Sequence, residues 1–273
     1  MPTALITGAS SGIGEEFAQQ LALTHDLVLV ARNVAKLQQL GAQLTARYGT
    51  RIEIIGADLS TRDGRAPVTA RLTDREHPID LLINNAGMGY HTGASQNPVD
   101  DEMYMLEVNA TAKIHLSLTA LHTMLERDRG EIINVSSVCG IAPAWTDSLY
   151  GTSTAAVLRH TEEMAYCKAV RRSKVKIMAL CPGDVQTDFN NRAGIPNKTD
   201  WGWVDQHLLV RVALDDLRKG KTVSIPTARY KFLSALMRIL PNSWSRMYAF
   251  DLGQQKTPHP GQHPRTTHTA PTT

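Results

Sequence analysis

Two hydroxyl side chains, Ser137 and Tyr150, have the types and spacing that suit carbonyl and alcohol chemistry. A serine hydroxyl can hydrogen-bond a substrate oxygen, and a tyrosine phenol can exchange a proton with that oxygen. This chemistry usually places a cation one helical turn after the tyrosine, because a nearby positive charge favours the phenolate. The residue at that position is Thr154, which carries a hydroxyl and no charge. The pattern predicts a redox site that lacks one expected group.

A glycine-rich turn near the N-terminus predicts a nucleotide site. Gly8 permits a tight turn, Gly12 lets the backbone approach a pyrophosphate, and Gly14 lets the next helix pack close to the sheet. The spacing differs from the common G-x-G-x-x-G fingerprint, and the alternative is an ordinary strand-to-helix turn. A helix N-terminus at this point nevertheless suits an anion. The predicted phosphate-binding residues are Gly8, Ser10, Ser11, Gly12, Ile13 and Gly14.

The ends of the next two predicted strands bear on which nucleotide binds. NAD-binding proteins often place an acidic residue after the second strand for the ribose 2′-hydroxyl. This chain has Arg32 there, and a planar guanidinium suits a 2′-phosphate, so NADP is favoured over NAD. The alternative is a solvated arginine at a strand end. After the third strand, Asp58 and Leu59 are predicted to lie at the adenine, and the alternative role of Asp58 is to cap the next helix.

Length and composition restrict the class of protein. The chain has 273 residues, 42% of them hydrophobic, so a single domain with a substantial core is expected. The net charge of +3 is too small to indicate nucleic-acid binding. We find no signal peptide and no run of the ~18 apolar residues that a spanning helix needs. The three cysteines form no CxxC pair, which predicts reduced thiols and a cytoplasmic location. No His, Cys or Asp cluster has the spacing of metal ligands, so no metal site is predicted.

Apolar runs alternate with helical periodicity along most of the chain. This alternation predicts an α/β fold with a doubly wound parallel sheet of the Rossmann type, covered by helices on both faces. The predicted strands are 3–7, 27–31, 51–55, 79–84, 131–136, 174–180 and 222–224. The predicted helices are 12–23, 34–48, 65–75, 100–126 and 149–170.

The last part of the chain departs from this alternation. Segment 188–206 is rich in glycine and tryptophan and predicts a flap over the cleft. An apolar stripe over 230–240 predicts a C-terminal helix that packs on the core or on a partner subunit, with lipid contact as the alternative. The composition of 254–273 predicts a disordered tail, so the folded domain is expected to span 1–253.

The motifs occur in an order that resembles the short-chain dehydrogenase/reductases of the classical type. Several motifs at the family's spacing are more specific than any single one, and the resemblance covers about residues 1–190. The matching elements are Thr7-Gly8-(x)3-Gly12-Ile13-Gly14, Asn84-Asn85-Ala86-Gly87, Val108-Asn109, Ile133-Asn134-Val135-Ser136-Ser137, Tyr150-Gly151-Thr152-Ser153 and Cys181-Pro182-Gly183-(x)3-Thr187.

The resemblance implies hydride transfer between a nicotinamide and a carbonyl or alcohol carbon. It implies that Ser137 hydrogen-bonds the substrate oxygen, that Tyr150 exchanges the proton, and that Asn109 holds a water of a proton relay. The other residues that it implies at the cofactor are Asn85, Ala86, Gly87, Thr154, Pro182, Gly183, Val185 and Thr187, together with Tyr150 itself.

The resemblance also implies a lysine where the chain has Thr154. A free tyrosine has a pKa near ~10, and a threonine hydroxyl cannot lower that value as an ammonium does. Reduction should suffer less than oxidation, because Tyr150 then starts as a neutral phenol and gives up its proton. Lys113, four residues after Asn109, and Arg159 are candidates for a replacement cation.

These observations predict an NADP(H)-dependent oxidoreductase that interconverts a carbonyl and an alcohol, acting as a reductase and slowed by Thr154. The alternative is a catalytically impaired NADP(H)-binding pseudoenzyme that acts as a sensor or partner protein. A third hypothesis is an altered residue 154 in an otherwise active enzyme.

The predicted pocket is apolar, which favours a hydrophobic carbonyl substrate. The two long predicted helices resemble those of family dimers, so a homodimer or homotetramer is expected. The predicted pocket residues are Met88, Tyr90, His91, Cys139, Pro143, Ala144, Trp145, Phe189 and Trp201.

Overall fold

The computed structural model describes residues 1–90, 92–141, 148–185 and 204–239, with side chains described as far as residue 236. The predicted tail 254–273 and the predicted flap up to residue 203 lie outside these ranges. Several predicted site residues lie outside them too: His91, Pro143, Ala144, Trp145, Thr187, Phe189 and Trp201.

Within the described ranges, seven parallel strands form one sheet in the order β3-β2-β1-β4-β5-β6-β7. Helices flank the sheet, so the predicted doubly wound α/β fold of the Rossmann type is confirmed. The strands are β1 Thr3–Thr7, β2 Asp26–Ala31, β3 Ile52–Gly56, β4 Leu81–Asn84, β5 Glu131–Val135, β6 Lys176–Leu180 and β7 Val223–Ser224.

The sheet is apolar on both faces, which is why it lies between two layers of helices. In β1, Ala4 and Ile6 belong to one hydrophobic core, whereas Leu5 between them belongs to the other. All three are fully buried. Burial of a leucine or isoleucine side chain contributes about 1.5–3 kcal/mol, so the alternation along each strand ties both helix layers to the sheet.

Side-chain caps determine where several helices begin. The side chains of Asn33 and Thr61 each accept a hydrogen bond of 3.0 Å from an N–H of the following turn. Thr61 therefore caps the helix after β3, and the alternative role given above to Asp58 is wrong. The helices are α1 Gly12–Leu21, α2 Val34–Tyr48, α3 Arg62–Leu72, α4 Val99–Leu106, α5 Ala112–Glu126, α6 Leu149–Tyr166, α7 Lys168–Arg171, α8 Gln206–Arg218 and α9 Ala228–Ile239.

Two predicted helices are each divided. A π-helical turn, Glu107–Thr111, separates α4 from α5. Cys167 is extended and separates α6 from α7. Apolar periodicity continues across both interruptions, so it could not reveal them. Helix α8 was not predicted at all, although Asp205 caps it and buried apolar residues follow at helical spacing.

The last helix buries a different face from the one expected. Tyr230 and Ser234 are buried, whereas Phe232 and Leu236 of the predicted apolar stripe are exposed. These two side chains do not pack on the core of this chain, because the face with Tyr230 turns inward, and their contact with a partner subunit or with lipid stays a prediction. No helix within the described ranges is both long enough and apolar enough to cross a membrane.

The strand order reverses between β1 and β4, which are neighbours in the sheet. Connections from these two strands run to opposite faces, so a crevice opens beyond their carboxyl ends. The glycine-rich turn follows β1, Asn85 follows β4 and Ser137 lies just after β5. These predicted site residues therefore come together along one edge of the sheet.

Candidate active site

The glycine-rich turn has a backbone that favours glycine at two positions. Gly8 and Gly12 adopt the left-handed region, with φ of 67° and 61°. A β-carbon added to Gly14 would lie 2.3 Å from the Gly8 carbonyl oxygen, so helix α1 starts in close contact with the turn. The first N–H groups of α1 have no acceptor inside the helix. These features fit a pyrophosphate held by Ser10 to Gly14.

Side chains of Thr7 and Asn85 hold the two loops of the crevice together. Thr7 Oγ1 accepts hydrogen bonds from the N–H groups of Asn85 and Ala86, at 2.9 and 3.0 Å. Asn85 Nδ2 donates to the carbonyls of Thr7 and Gly8, at 3.1 and 3.2 Å. The Asn85 amide therefore positions the glycine turn, and Thr7 is a site residue that the sequence prediction missed.

Arg32 belongs to a polar cluster with Tyr104 and Asp58. Its Nη1 donates a 2.7 Å hydrogen bond to the Tyr104 hydroxyl. That hydroxyl lies 3.4 Å from Asp58 Oδ2, and Asp58 Oδ1 accepts from Ser60 N at 3.0 Å. Arg32 is exposed at the carboxyl end of β2, where a guanidinium can reach an anion. Tyr104 comes from α4, and nothing in the sequence indicated that it would meet Arg32.

Ser137 and Tyr150 meet as predicted. Ser137 begins a short 3-10 turn after β5, and Ser148 caps α6 by accepting from Tyr150 N at 3.2 Å. The Ser137 hydroxyl hydrogen-bonds with the Tyr150 phenol. Burial raises the pKa of Tyr150 well above its usual value, and the Ser137 hydrogen bond offsets this only in part. The phenol is therefore neutral at physiological pH.

Thr154 directs its hydroxyl into its own helix. It is buried, and Oγ1 donates to the carbonyls of Tyr150 and Gly151, at 2.9 and 3.1 Å. Its carbonyl accepts a 2.8 Å hydrogen bond from Ser136 Oγ. This bonding to the preceding turn is common for threonine in helices. Thr154 thus supplies neither charge nor, in this conformation, a donor to a ribose hydroxyl.

Asn109 lies in the π-helical turn, and its amide is bonded to the chain after β4. Oδ1 accepts from Met88 N at 2.8 Å, and Nδ2 donates to Met88 O at 2.7 Å. The side chain therefore fixes the loop beside the crevice. Its assignment to a water-mediated proton relay stays a prediction.

The two candidate replacement cations differ sharply in their surroundings. The Arg159 side chain is 72% exposed and pairs with Glu162 at 3.5 Å, so it faces solvent. Lys113 is only 6% exposed, and its Nζ donates a 2.5 Å hydrogen bond to the carbonyl of Val135 in β5. Only Lys113 is inside the protein.

The loop after β6 carries the residues predicted to face the nicotinamide. A β-carbon on Gly183 would lie 2.0 Å from Tyr230 Cε2, so the ring packs directly on this backbone. The Tyr230 hydroxyl accepts from Asp184 N at 3.2 Å, and Val185 forms a bridge to Val204. Tyr230 of α9 therefore fixes this loop, which the sequence did not predict.

The described pocket residues stay uncharged at neutral pH. Burial raises the pKa of Tyr90 to about 12 and also raises the pKa of the Cys139 thiol. Met88, which shares the loop after β4 with Tyr90, is partly buried. Within the described part of the chain, no three His, Cys, Asp or Glu side chains come together as metal ligands would.

Comparisons with known proteins agree with this geometry. The profile of the family described as short chain dehydrogenase matches residues 2–197. An uncharacterized oxidoreductase of Staphylococcus epidermidis is 31% identical over 196 residues, which cover 69% of this chain and 83% of that protein.

Two solved structures are also similar. A short-chain dehydrogenase from Sphingobium yanoikuyae in complex with NADPH is 34% identical, with a TM-score of 0.79, over 88% of this chain and 97% of the other. The bulky-bulky ketone specific alcohol dehydrogenase from Comamonas testosteroni is 30% identical, with a TM-score of 0.75, over 88% and 95%. This chain belongs to the short-chain dehydrogenase/reductase family, a class of oxidoreductases that use a nicotinamide cofactor.

Proposed function

We propose that this protein is an NADP(H)-dependent oxidoreductase that interconverts a carbonyl and an alcohol and acts as a reductase. The observation that carries the proposal is the hydrogen-bonded pair of Ser137 and Tyr150 at the carboxyl edge of the sheet, beside the glycine-rich turn. A bound nicotinamide supplies the hydride. Ser137 orients the substrate carbonyl oxygen, and Tyr150 gives that oxygen its proton.

The reductive direction follows from the state of the Tyr150 phenol. Its raised pKa keeps it protonated, and a proton donor must be protonated to act. Oxidation of an alcohol would instead require the phenolate as a base, which burial disfavours. The pair is therefore better suited to reduction.

NADP is proposed as the cofactor because Arg32 follows β2 at the position where NAD-binding proteins often have an acidic residue. The Sphingobium relative, which was solved with NADPH, supports this choice. We expect Arg32→Ala to weaken NADPH binding by about 10- to 100-fold, since hydrogen bonds to charged groups contribute about 1.5–3 kcal/mol. NADH binding should change little. Fluorescence titration with both nucleotides measures this.

Arg75→Ala is the matched control for Arg32→Ala, because Arg75 pairs with Glu126 on the surface and is 79% exposed. It should leave both dissociation constants unchanged. Equal losses of NADPH and NADH binding on Arg32→Ala would contradict a contact with the 2′-phosphate.

A hydrophobic ketone or aldehyde is the proposed substrate class. Met88, Tyr90 and Cys139 offer uncharged walls, and the Comamonas relative is named for bulky ketones. Assembly as a homodimer or homotetramer, and a cytoplasmic location, are parts of the same proposal.

The proposal is tested by incubating the purified protein with NADPH and a panel of ketones and aldehydes, and following NADPH loss. Turnover of at least one carbonyl is expected. The alternative is an NADP(H)-binding pseudoenzyme, which Thr154 favours because its hydroxyl is bonded within α6. Tight NADPH binding without turnover on any carbonyl would overturn the reductase and support that alternative.

A further inference from the structure

Lys113 is a buried amine without a carboxylate partner among the described residues. It lies in the first turn of α5, and its Nζ donates a hydrogen bond to the Val135 carbonyl. Burial lowers the pKa of its ammonium to about 7, and no neighbouring charge of the described chain contributes to that change. An unpaired buried lysine is costly for a fold, and such groups concentrate at functional sites.

The Lys113 ammonium lies at the crevice rather than deep in the core. A β-carbon built on Gly87 would be 3.6 Å from Lys113 Nζ and 3.3 Å from Asn109 Oδ1. Gly87 belongs to the loop after β4, which was predicted to line the cofactor. The amine and the Asn109 amide therefore both lie next to that loop.

Lys113 and Thr154 form hydrogen bonds with two adjacent residues of the chain. Its Nζ bonds the carbonyl of Val135, while Thr154 O accepts from the hydroxyl of the next residue, Ser136. The Lys113 ammonium and the Thr154 carbonyl thus contact adjacent residues at the end of β5, two residues or fewer before Ser137.

The helix that carries Lys113 faces the helix that carries Tyr150. Asn109 Nδ2 lies 3.5 Å from Ser153 Oγ, and Ser153 Oγ donates to Tyr150 O at 2.9 Å. Asn109 is four residues before Lys113, and Tyr150 is four before Thr154, so matching turns of the two helices are apposed.

We propose that Lys113 supplies from α5 the positive charge that residue 154 lacks, acting on the Tyr150 phenol and on the cofactor loop at Gly87. This inference rests on the proposed reductase function. In the proton transfer, the Tyr150 O–H bond breaks, the proton joins the substrate oxygen, and a phenolate is left. Lys113 keeps its own protons and stabilises that phenolate until water returns a proton to it.

The described groups on the elements around Lys113 do not neutralise its charge. From β4, the Asn84 amide donates to the backbone carbonyl of Lys113 at 3.1 Å and to Oδ1 of Asn134 in β5 at 2.9 Å, and both of these side chains are neutral. On the neighbouring elements, Glu107 of the π turn and Arg65 of α3 pair with each other at 3.2 Å. On α6, Tyr150 is titratable, with Cys139 acting on the same phenol, and the other titratable groups of that helix lie more than two turns further along it: Arg159, His160, Glu162, Glu163 and Tyr166.

A pH dependence follows, with a definite sign. Lys113 is an ammonium below about pH 7 and becomes a neutral amine above it. The general acid Tyr150 should therefore be strongest at acidic pH, and kcat for reduction should fall as the pH rises through about 7.

Three variants separate the charge from the hydrogen bond. Lys113→Gln keeps a donor for Val135 O but has no charge, and Lys113→Met keeps the length but has neither. Both should lower kcat for reduction by about tenfold or more and lose the pH dependence, since an adjacent charge shifts a pKa by about 1–3. In the double variant Lys113→Met/Thr154→Lys, the lysine at position 154 should restore kcat for reduction. Lys219→Met, on the exposed end of α8, is the control and should change nothing.

A binding measurement makes the test independent of turnover. The proposal places the Lys113 charge beside the cofactor loop at Gly87, so the wild type should bind the anionic NADPH more weakly as the pH rises through about 7, whereas Lys113→Gln should lack this change. If wild-type protein reduces no carbonyl, the proposed function fails while this pH profile of NADPH binding still decides the role of Lys113. The same pH profile of binding in the wild type and in Lys113→Gln, or full activity of Lys113→Gln, would overturn the inference and leave Lys113 with a structural role, bonded to β5.

Discussion

Replacing Tyr150 by phenylalanine is expected to lower kcat/KM for carbonyl reduction by about 10²- to 10⁴-fold, the usual contribution of a general acid. The ring keeps its packing, while the one hydroxyl that bonds Ser137 and can reach the substrate oxygen is lost. NADPH binding should persist, because the glycine-rich turn and Arg32 are untouched. Steady-state kinetics on a carbonyl that the wild type reduces, with NADPH titration beside them, measure both quantities.

Tyr166→Phe is the matched control, since Tyr166 ends the same helix and is 62% exposed. It removes the same hydroxyl group from α6 and should leave kcat/KM unchanged. Residual activity of Tyr150→Phe near that of the wild type would show that another group delivers the proton, and the proposed mechanism would be wrong.

Replacing Gly14 by alanine is expected to abolish measurable NADPH binding and to destabilise the fold. The new β-carbon would lie 2.3 Å from Gly8 O and 2.5 Å from Asn85 Nδ2. The first of these atoms is backbone, so the turn itself must move. Overpacking of this kind costs about 1–3 kcal/mol and sometimes more. Denaturant unfolding and NADPH titration are the two measurements.

Gly49→Ala is the control that separates the effect of steric crowding, expected for Gly14→Ala, from the cost of a left-handed backbone conformation. Gly49 ends α2 with φ of 70° and has open space around an added β-carbon. Its replacement should lower the free energy of unfolding by about 1–2 kcal/mol, the cost of a left-handed non-glycine residue, and leave NADPH binding intact. If Gly14→Ala binds NADPH as well as Gly49→Ala does, the pyrophosphate does not lie at this turn.

Sequence reasoning located the sheet well because its signal is local. Each buried strand is a short apolar run, and β1 was predicted with the bounds that the structure has. Helix α2 was also predicted with its observed bounds, since Asn33 begins it and Gly49 ends it. The interruptions at the π turn and at Cys167 depend on backbone hydrogen bonding, which leaves no mark on apolar periodicity.

The contacts within the site were harder to foresee. Ser137 and Tyr150 could be paired through motif spacing, but Tyr104 and Tyr230 reach the crevice from α4 and α9, far away along the chain. Lys113 is the clearest example. A helix lysine usually faces water, and only the packing of α5 on β5 shows that this one is inside.

The π turn at Glu107–Thr111 restricts how this region of the chain can change in length. A helix advances about 100° per residue, so losing a single residue from the turn would rotate α5 by about that angle relative to α4. Lys113 would then leave the carbonyl of Val135, and Asn109 would lose the backbone of Met88. Insertions and deletions between α4 and α5 should therefore be strongly selected against in homologues that keep this buried lysine.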